Sequence, residues 1–214
     1  RPGALTRQTL SVVPPAQRAE IGQSLAKEVQ HLSGATCRDT LGLAALDKLA
    51  ARIFSGPTPP RLVVVPDSIP EIAVLPGRIL LINRRLVEDY EDPAVVAGYA
   101  LSANAAIADP LSDLLHHAGL LATLKLVTSG SLPQKALRAY AEDLVSTPTA
   151  LASGDVTLNL LGAVGISSIP LAMAIDPTGE STQSLIDSDP MQGKLPAVLL
   201  NDGDWVALQG ICGG

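Results

Sequence analysis

Sixteen consecutive residues near the middle of the chain, PAVVAGYALSANAAIA from Pro93 to Ala108, contain no Asp, Glu, His, Lys or Arg. Length and Ala content suit a helix, and Asp92-Pro93 supplies its start signal, a capping acid followed by proline at the first helical position. A helix without a polar side has nothing to turn to water, so it reads as a core helix. It is too short and too rich in Ala to span a membrane, which takes about twenty strongly apolar residues, and no uncharged run in the chain supplies that many strongly apolar residues. The rest of the chain must therefore wrap this segment. At 214 residues it is long enough to bury roughly 70% of its unfolded surface without a structural metal.

The flanking sequence says what does the wrapping. Ile21, Leu25, Val29 and Leu32 recur at helical spacing in residues 15–32, and residues 39–54 repeat the pattern behind Asp39, a predicted N-cap. After the linker SGPTPP come RLVVVP, EIAVLP and RILLIN, three short β-branched runs that predict a sheet of about three strands, with Pro76-Gly77 as a tight turn or bulge at its edge. RRLVEDY predicts one or two helical turns. Asp109-Pro110 opens DPLSDLLHHAGLLATLKLVTSG as a further helix; PQKALRAYAEDLVS and a segment from Ser153 to Gly165 follow. Beyond Gly165 the tail, with DPTGEST and DSDPMQGKLP, reads as loop-rich before a last helical turn at DGDWVALQGIC, where Trp205 is expected to close the core near Cys212. No repeat or heptad run is present.

Apolar residues make up 47% of the chain but aromatics only 2%, so the core must be built from Ala, Leu, Val and Ile. A net charge of −6, with basic residues scattered along the sequence and only Arg84-Arg85 adjacent, argues against a nucleic-acid partner or an anionic membrane surface. The opening RPGALTRQ has neither initiator Met nor apolar signal core, as expected of a processed secreted protein or a trimmed chain. Cys37 and Cys212 are the two cysteines; they fit one disulfide closing most of the molecule, worth about 4 to 5 kcal/mol on the loop-entropy argument, and hence an oxidising compartment. The alternative is two buried free thiols.

Candidate chemistry is sparse. Asp113 and His117, four residues apart, could share a helix face and a metal, with His116 beside them pointing about 100° away. The chain has only three histidines, so a third ligand would have to be His31 or a distant carboxylate. Glu142-Asp143 diverge on a helix, and the loop from Asp176 to Glu180 lacks the ligand alternation of a calcium site. There is no G-x-S-x-G nucleophile turn and no glycine-rich phosphate loop.

The order of elements is more telling. Two helices, then EIAVLPGRILLINRRLV, then a helix opened by an acid and proline, resembles the HtpX-like and CAAX-prenyl-protease-like zinc metallopeptidases, metallopeptidase family forty-eight. Their edge strand reads N-A-x-A-L-P-G-G-x-I followed by G-L-L; here Ala73, Leu75, Pro76, Gly77 and Ile79 match, and Leu86-Val87 stand at the Leu pair. Glu71 replaces the Asn, and one glycine is missing. The family then carries H-E-x-x-H, whose histidines bind zinc and whose Glu takes a proton from the zinc-bound water. Residues 93–108 occupy that window and contain neither His nor Glu. The family's third ligand comes from E-x-x-A-D; the best match is LASGD, where Asp155 survives but Leu151 stands at the ligand position.

The resemblance thus implies an α+β fold, a mainly helical zincin-like domain with a small, roughly three-stranded sheet. It is expected as one domain over 1–214: helices in 15–55, sheet in 61–83, helical core in 92–165 and a loop-rich tail in 166–214. It implies a catalytically inactive metallopeptidase homologue of a bacterial cell envelope, periplasmic or secreted, without cofactor. Such a protein would bind a peptide or protein along the edge strand, at Ile72, Ala73, Val74, Leu75, Pro76, Gly77, Arg78 and Ile79. Two other functions compete: a zinc endopeptidase with displaced ligands drawn from Asp113, His116, His117 and Asp155, and a structural subunit of an envelope complex.

Overall fold

The computed structural model describes Leu10 and residues 13–213, so the opening RPGALTRQ lies outside the described residues. Helix α1 (Pro15–Ser33) and α2 (Thr40–Ile53) precede strands β1 (Arg61–Val65), β2 (Ile72–Leu75) and β3 (Ile79–Asn83). Then follow α3 (Arg85–Glu88), α4 (Ala94–Ala106), α5 (Pro110–Ser129), α6 (Gln134–Ser146) and α7 (Gly154–Val164). Helices α8 (Ile169–Ile175), α9 (Gln183–Asp187) and α10 (Asp202–Gln209) complete the described elements. With 57% helix and 7% strand, the fold is mainly helical α+β.

The strands form one mixed sheet in the order β1-β3-β2, β1 parallel and β2 antiparallel to the central β3. Their uninterrupted apolar runs follow from burial on both faces. Leu62, Val64, Ile72, Val74, Leu80 and Ile82 point into a core shared with α2, α4 and α10. The alternate residues Val65, Ala73, Leu75, Ile79 and Leu81 point into a second core shared with α1, α5 and α6. The sheet is thus the middle layer between two helical layers, one on each face.

Helix α4 has all ten residues from Ala94 to Ala103 buried. The sheet lies along one side and α7 and α8 along the others, which explains the absence of charge. Asp92 caps it by accepting a hydrogen bond from the Ala94 amide at 2.8 Å; Pro93 is already in helical conformation. Small residues set the spacing: a Cβ at Gly98 would lie 3.0 Å from Leu171 on α8.

Two expectations need correction. Residues 110–129 do not form one straight helix: Gly119 adopts φ 82°, ψ 179° and breaks α5. Only glycine enters that conformation freely, and helical periodicity on either side conceals it. Within the loop-rich tail, a helix not predicted from the sequence, α8, carries Leu171 and Ala172 into the core against α4. Seven residues are too few for periodicity to show.

Asp39 caps α2 as expected, accepting from the amides of Leu41 and Gly42 at 3.0 and 2.9 Å. Helix α10 packs on α2 with Trp205, Leu208 and Ile211 buried, and Cys37 is bonded to Cys212 across 175 residues, closing the chain onto its own beginning. That bond belongs to an oxidising compartment. Among the described residues no single helix is long and apolar enough to cross a membrane; α4 and α5 together pass that test only as a pair bent by 55°.

Candidate functional site

Strand β2 is an edge, but the edge is shorter than the sequence predicts. Ile79 begins β3, the central strand, and pairs with Arg61 on one side and Leu75 on the other. Its main chain, like that of Leu80 to Ile82, is already flanked by a strand on each side, so the residues after the turn cannot accept another. Within β2 the antiparallel alternation turns every second residue outward. Glu71 accepts from the Asn83 amide at 2.8 Å, so residues 71, 73 and 75 face β3, while Ile72 and Val74 face away.

At Ile72 the outward groups are taken. The Thr149 hydroxyl accepts from the Ile72 amide at 2.9 Å and donates to the Ile72 carbonyl at 3.0 Å, standing in for a neighbouring strand. At Val74 the amide and carbonyl have no hydrogen-bond partner among the described residues. They open on a groove of about 540 Å³, bounded by Pro15, Asn104, Ile107 and Pro110. One end is closed by Arg18, whose Nη1 donates to both carboxylate oxygens of Asp109 at 2.8 and 3.0 Å; Asp109 in turn caps α5 at the Leu111 amide.

The Leu-Pro-Gly turn has a structural role. Gly77 and Arg78 both take positive φ, 77° and 62°, to join Leu75 to Ile79. Pro76 is buried beneath α1: a Cβ at Gly22 would overlap the Pro76 carbonyl, and one at Gly77 would overlap the Ala19 backbone. Of the predicted binding residues, Ile72, Ala73, Val74, Leu75, Pro76 and Ile79 are buried, Gly77 is half-buried and Arg78 is exposed. Only at Val74 do the outward main-chain groups of the strand lack a hydrogen-bond partner among the described residues. Thr149, Asn104 and the Arg18–Asp109 pair, absent from the sequence-based set, belong to it because three separate connections converge there; no local pattern marks them.

The faces of α4 and α7 do meet. Ser102 Oγ lies 2.9 Å from Thr157 Oγ1, both buried, and the Ala152 amide donates to the Ser102 hydroxyl and carbonyl at 3.1 and 3.2 Å. Neutral hydroxyls and a main-chain amide therefore bridge the two helices. Leu151 is half-buried and packs on the core, and Asp155 points outward from the start of α7.

The displaced-ligand set is not assembled. Among the described residues no three of His, Cys, Asp and Glu are gathered closely enough to hold a metal ion. Asp113, His116 and His117 are exposed on the first half of α5, and Asp155 sits on another helix. The His117 ring meets the Tyr140 ring edge-on, centroids 5.2 Å apart. Burial first, then the charges of Asp113 and Asp143, push the Tyr140 hydroxyl up to about 12, so it stays protonated.

The acidic loop is satisfied from within. Asp176 accepts from the amide and hydroxyl of both Thr178 and Ser181 at 2.7 to 2.9 Å, and these bonds, led by the Thr178 hydroxyl, hold its carboxyl far below the usual range. No protein-family model matches the chain, and no curated protein matches it.

Proposed function

We propose that this chain is a non-catalytic, peptide- or protein-binding module of the cell envelope, periplasmic or secreted, on a zincin-like scaffold derived from the zinc metallopeptidases it resembles. The observation that carries the reading is the unpartnered amide and carbonyl of Val74 facing the groove beside Asn104. An extended segment laid antiparallel or parallel there gains two main-chain hydrogen bonds, the Asn104 amide can reach a third backbone group, and Ile107 and Pro110 offer apolar contact. The Ser102–Thr157 bridge supports the non-catalytic part of the reading. It fills with hydroxyls the junction of the two helices on which the resembled family carries its ligands.

Val74→Pro tests it by removing the outward amide while leaving the ladder to β3 in place, and because it also replaces a buried core side chain, Asn104→Leu, at a half-buried position, serves as the second variant. Extended peptides selected on the wild-type protein from a displayed library are expected to lose binding to Val74→Pro and to Asn104→Leu, the latter with melting temperature held near wild type. Undiminished binding by both variants would sink the reading. Stoichiometric zinc with a peptidase activity lost on chelation would replace it with the displaced-ligand enzyme. One stable co-purifying partner that ignores both substitutions would replace it with the structural subunit.

A further inference from the structure

The opposite edge of the sheet carries a second groove of different character. Arg61 donates its amide to Arg78 and Val65 accepts from the Arg84 amide, so residues 61, 63 and 65 of β1 face β3 while Leu62 and Val64 face away. The Val64 carbonyl is taken by the Cys37 amide at 3.0 Å. The Leu62 amide and carbonyl have no partner among the described residues. They open on a cavity of about 550 Å³ whose walls are α1 on one side and α2 on the other. It is a slot between the two helices with the unpaired main chain of Leu62 along it.

The charges lining the slot do not follow the molecule. The chain carries a net charge of −6, yet Lys27, Arg38 and Arg61 border this cavity, all exposed, none in an ion pair among the described residues, and Asp47 is the single acid. The walls differ as well. The α1 wall offers Gln23, Lys27 and Gln30; the α2 wall offers Asp47 and the exposed side chain of Leu43. Side chains of an extended peptide alternate between two faces, so one set would meet the wall with Lys27 and the other the wall with Leu43, while Arg38 and Arg61 border the slot from the segment before α2 and from the start of β1.

We propose that the outer edge of β1 binds an extended peptide with acidic and apolar residues in alternation, pairing its main chain with Leu62 and setting its carboxylates against Lys27, Arg38 and Arg61. The disulfide-tied Cys37 marks the end of the slot, since its amide already occupies the next acceptor along the strand. The site is separate from the Val74 groove, which lies on the other edge of the sheet, and does not depend on it.

The test uses a fluorescein-labelled peptide of alternating Glu and Val, its Lys and Val counterpart, and a copy of the first with N-methylated Val amides, read by fluorescence anisotropy. The Glu/Val peptide is expected to bind, and raising salt from about 50 to about 300 mM weakens it as screening sets in. Lys27→Glu, and separately the double change Arg38→Glu with Arg61→Glu, each weaken it by roughly 10-fold or more. These residues are exposed, so the fold is kept. Equal binding of the Lys/Val peptide, or indifference to both charge reversals, overturns the proposal. Undiminished binding of the N-methylated peptide overturns the pairing with Leu62. Loss of binding on Asn104→Leu assigns the peptide to the other edge and overturns the proposal while leaving the function proposed for the Val74 groove standing.

Discussion

Glu28 is 6% exposed on α1 and takes three partners: Gln134 Nε2 at 3.1 Å, Arg138 Nε at 3.3 Å and, at 3.6 Å, His31 Nδ1. The Gln134 hydrogen bond, then the hydrogen bond and charge of Arg138, outweigh burial and lower its pKa. A carboxyl whose folded pKa is depressed contributes stability above its unfolded value near 4.5, and that contribution is lost as pH falls through the folded value. Glu28→Gln is therefore expected to flatten the acid limb of a melting-temperature profile below about pH 4.5, while a profile parallel to wild type would contradict the assignment. Ser102 is the second residue to test. Ser102→Val leaves Thr157 Oγ1 without its 2.9 Å partner in a buried position and is expected to cost about 1–3 kcal/mol in urea unfolding. Asn83 illustrates what a lone polar residue at the end of an apolar strand can do. Its amide donates to the Ile69 carbonyl at 2.6 Å and its Oδ1 accepts from the Arg85 amide at 3.0 Å, tying the β1–β2 connection to the start of α3.

At the scale of elements, close approach decides which helix covers which strand. Helix α1 lies on the Leu75–Ile79 hairpin with Gly22 against the Pro76 carbonyl, where even one methyl group has no room. Gly22→Ala must push α1 off the turn, and it is expected to destabilise by about 3 kcal/mol, lowering the melting temperature by roughly 6–12 °C for a chain of this size. Calorimetry with a shift under about 2 °C would show that the contact yields easily. Helix α4 answers differently to its neighbours: Gly98 faces the side chain of Leu171 rather than backbone, so Gly98→Ala demands only a small displacement of α8 and is expected to cost less than Gly22→Ala. The start signals of α4 and α5 were legible because Asp-Pro is a local code that needs no tertiary partner. The break at Gly119 was not, since nothing in a run of helix formers tells whether one glycine stays helical.

For the whole molecule the Cys37–Cys212 bond is the longest tie, and the loop-entropy argument assigns it about 5 kcal/mol. Cys212→Ser is expected to lower the melting temperature by roughly 10 °C or more and to free α10 from α2 before the sheet opens. Hydrogen exchange that opens α10 and β3 together would count against that order. The sequence by itself determined the composition of the layers: uninterrupted apolar strands that must be covered twice, and a chargeless helix that must be enclosed, because burial is written residue by residue. It did not determine which strand is central. Order β1-β3-β2 came from the crossing of residues 66–71 past the end of β3, and it left the predicted edge from Ile72 to Ile79 with one residue whose outward main-chain groups are unpaired, Val74. Nor could it gather Lys27, Arg38 and Arg61, which are scattered in the chain and meet only because α1, the segment before α2, and β1 converge on one slot. Exposed charges and unpaired edges are properties of juxtaposed surfaces, and surfaces exist only once the layers have stacked.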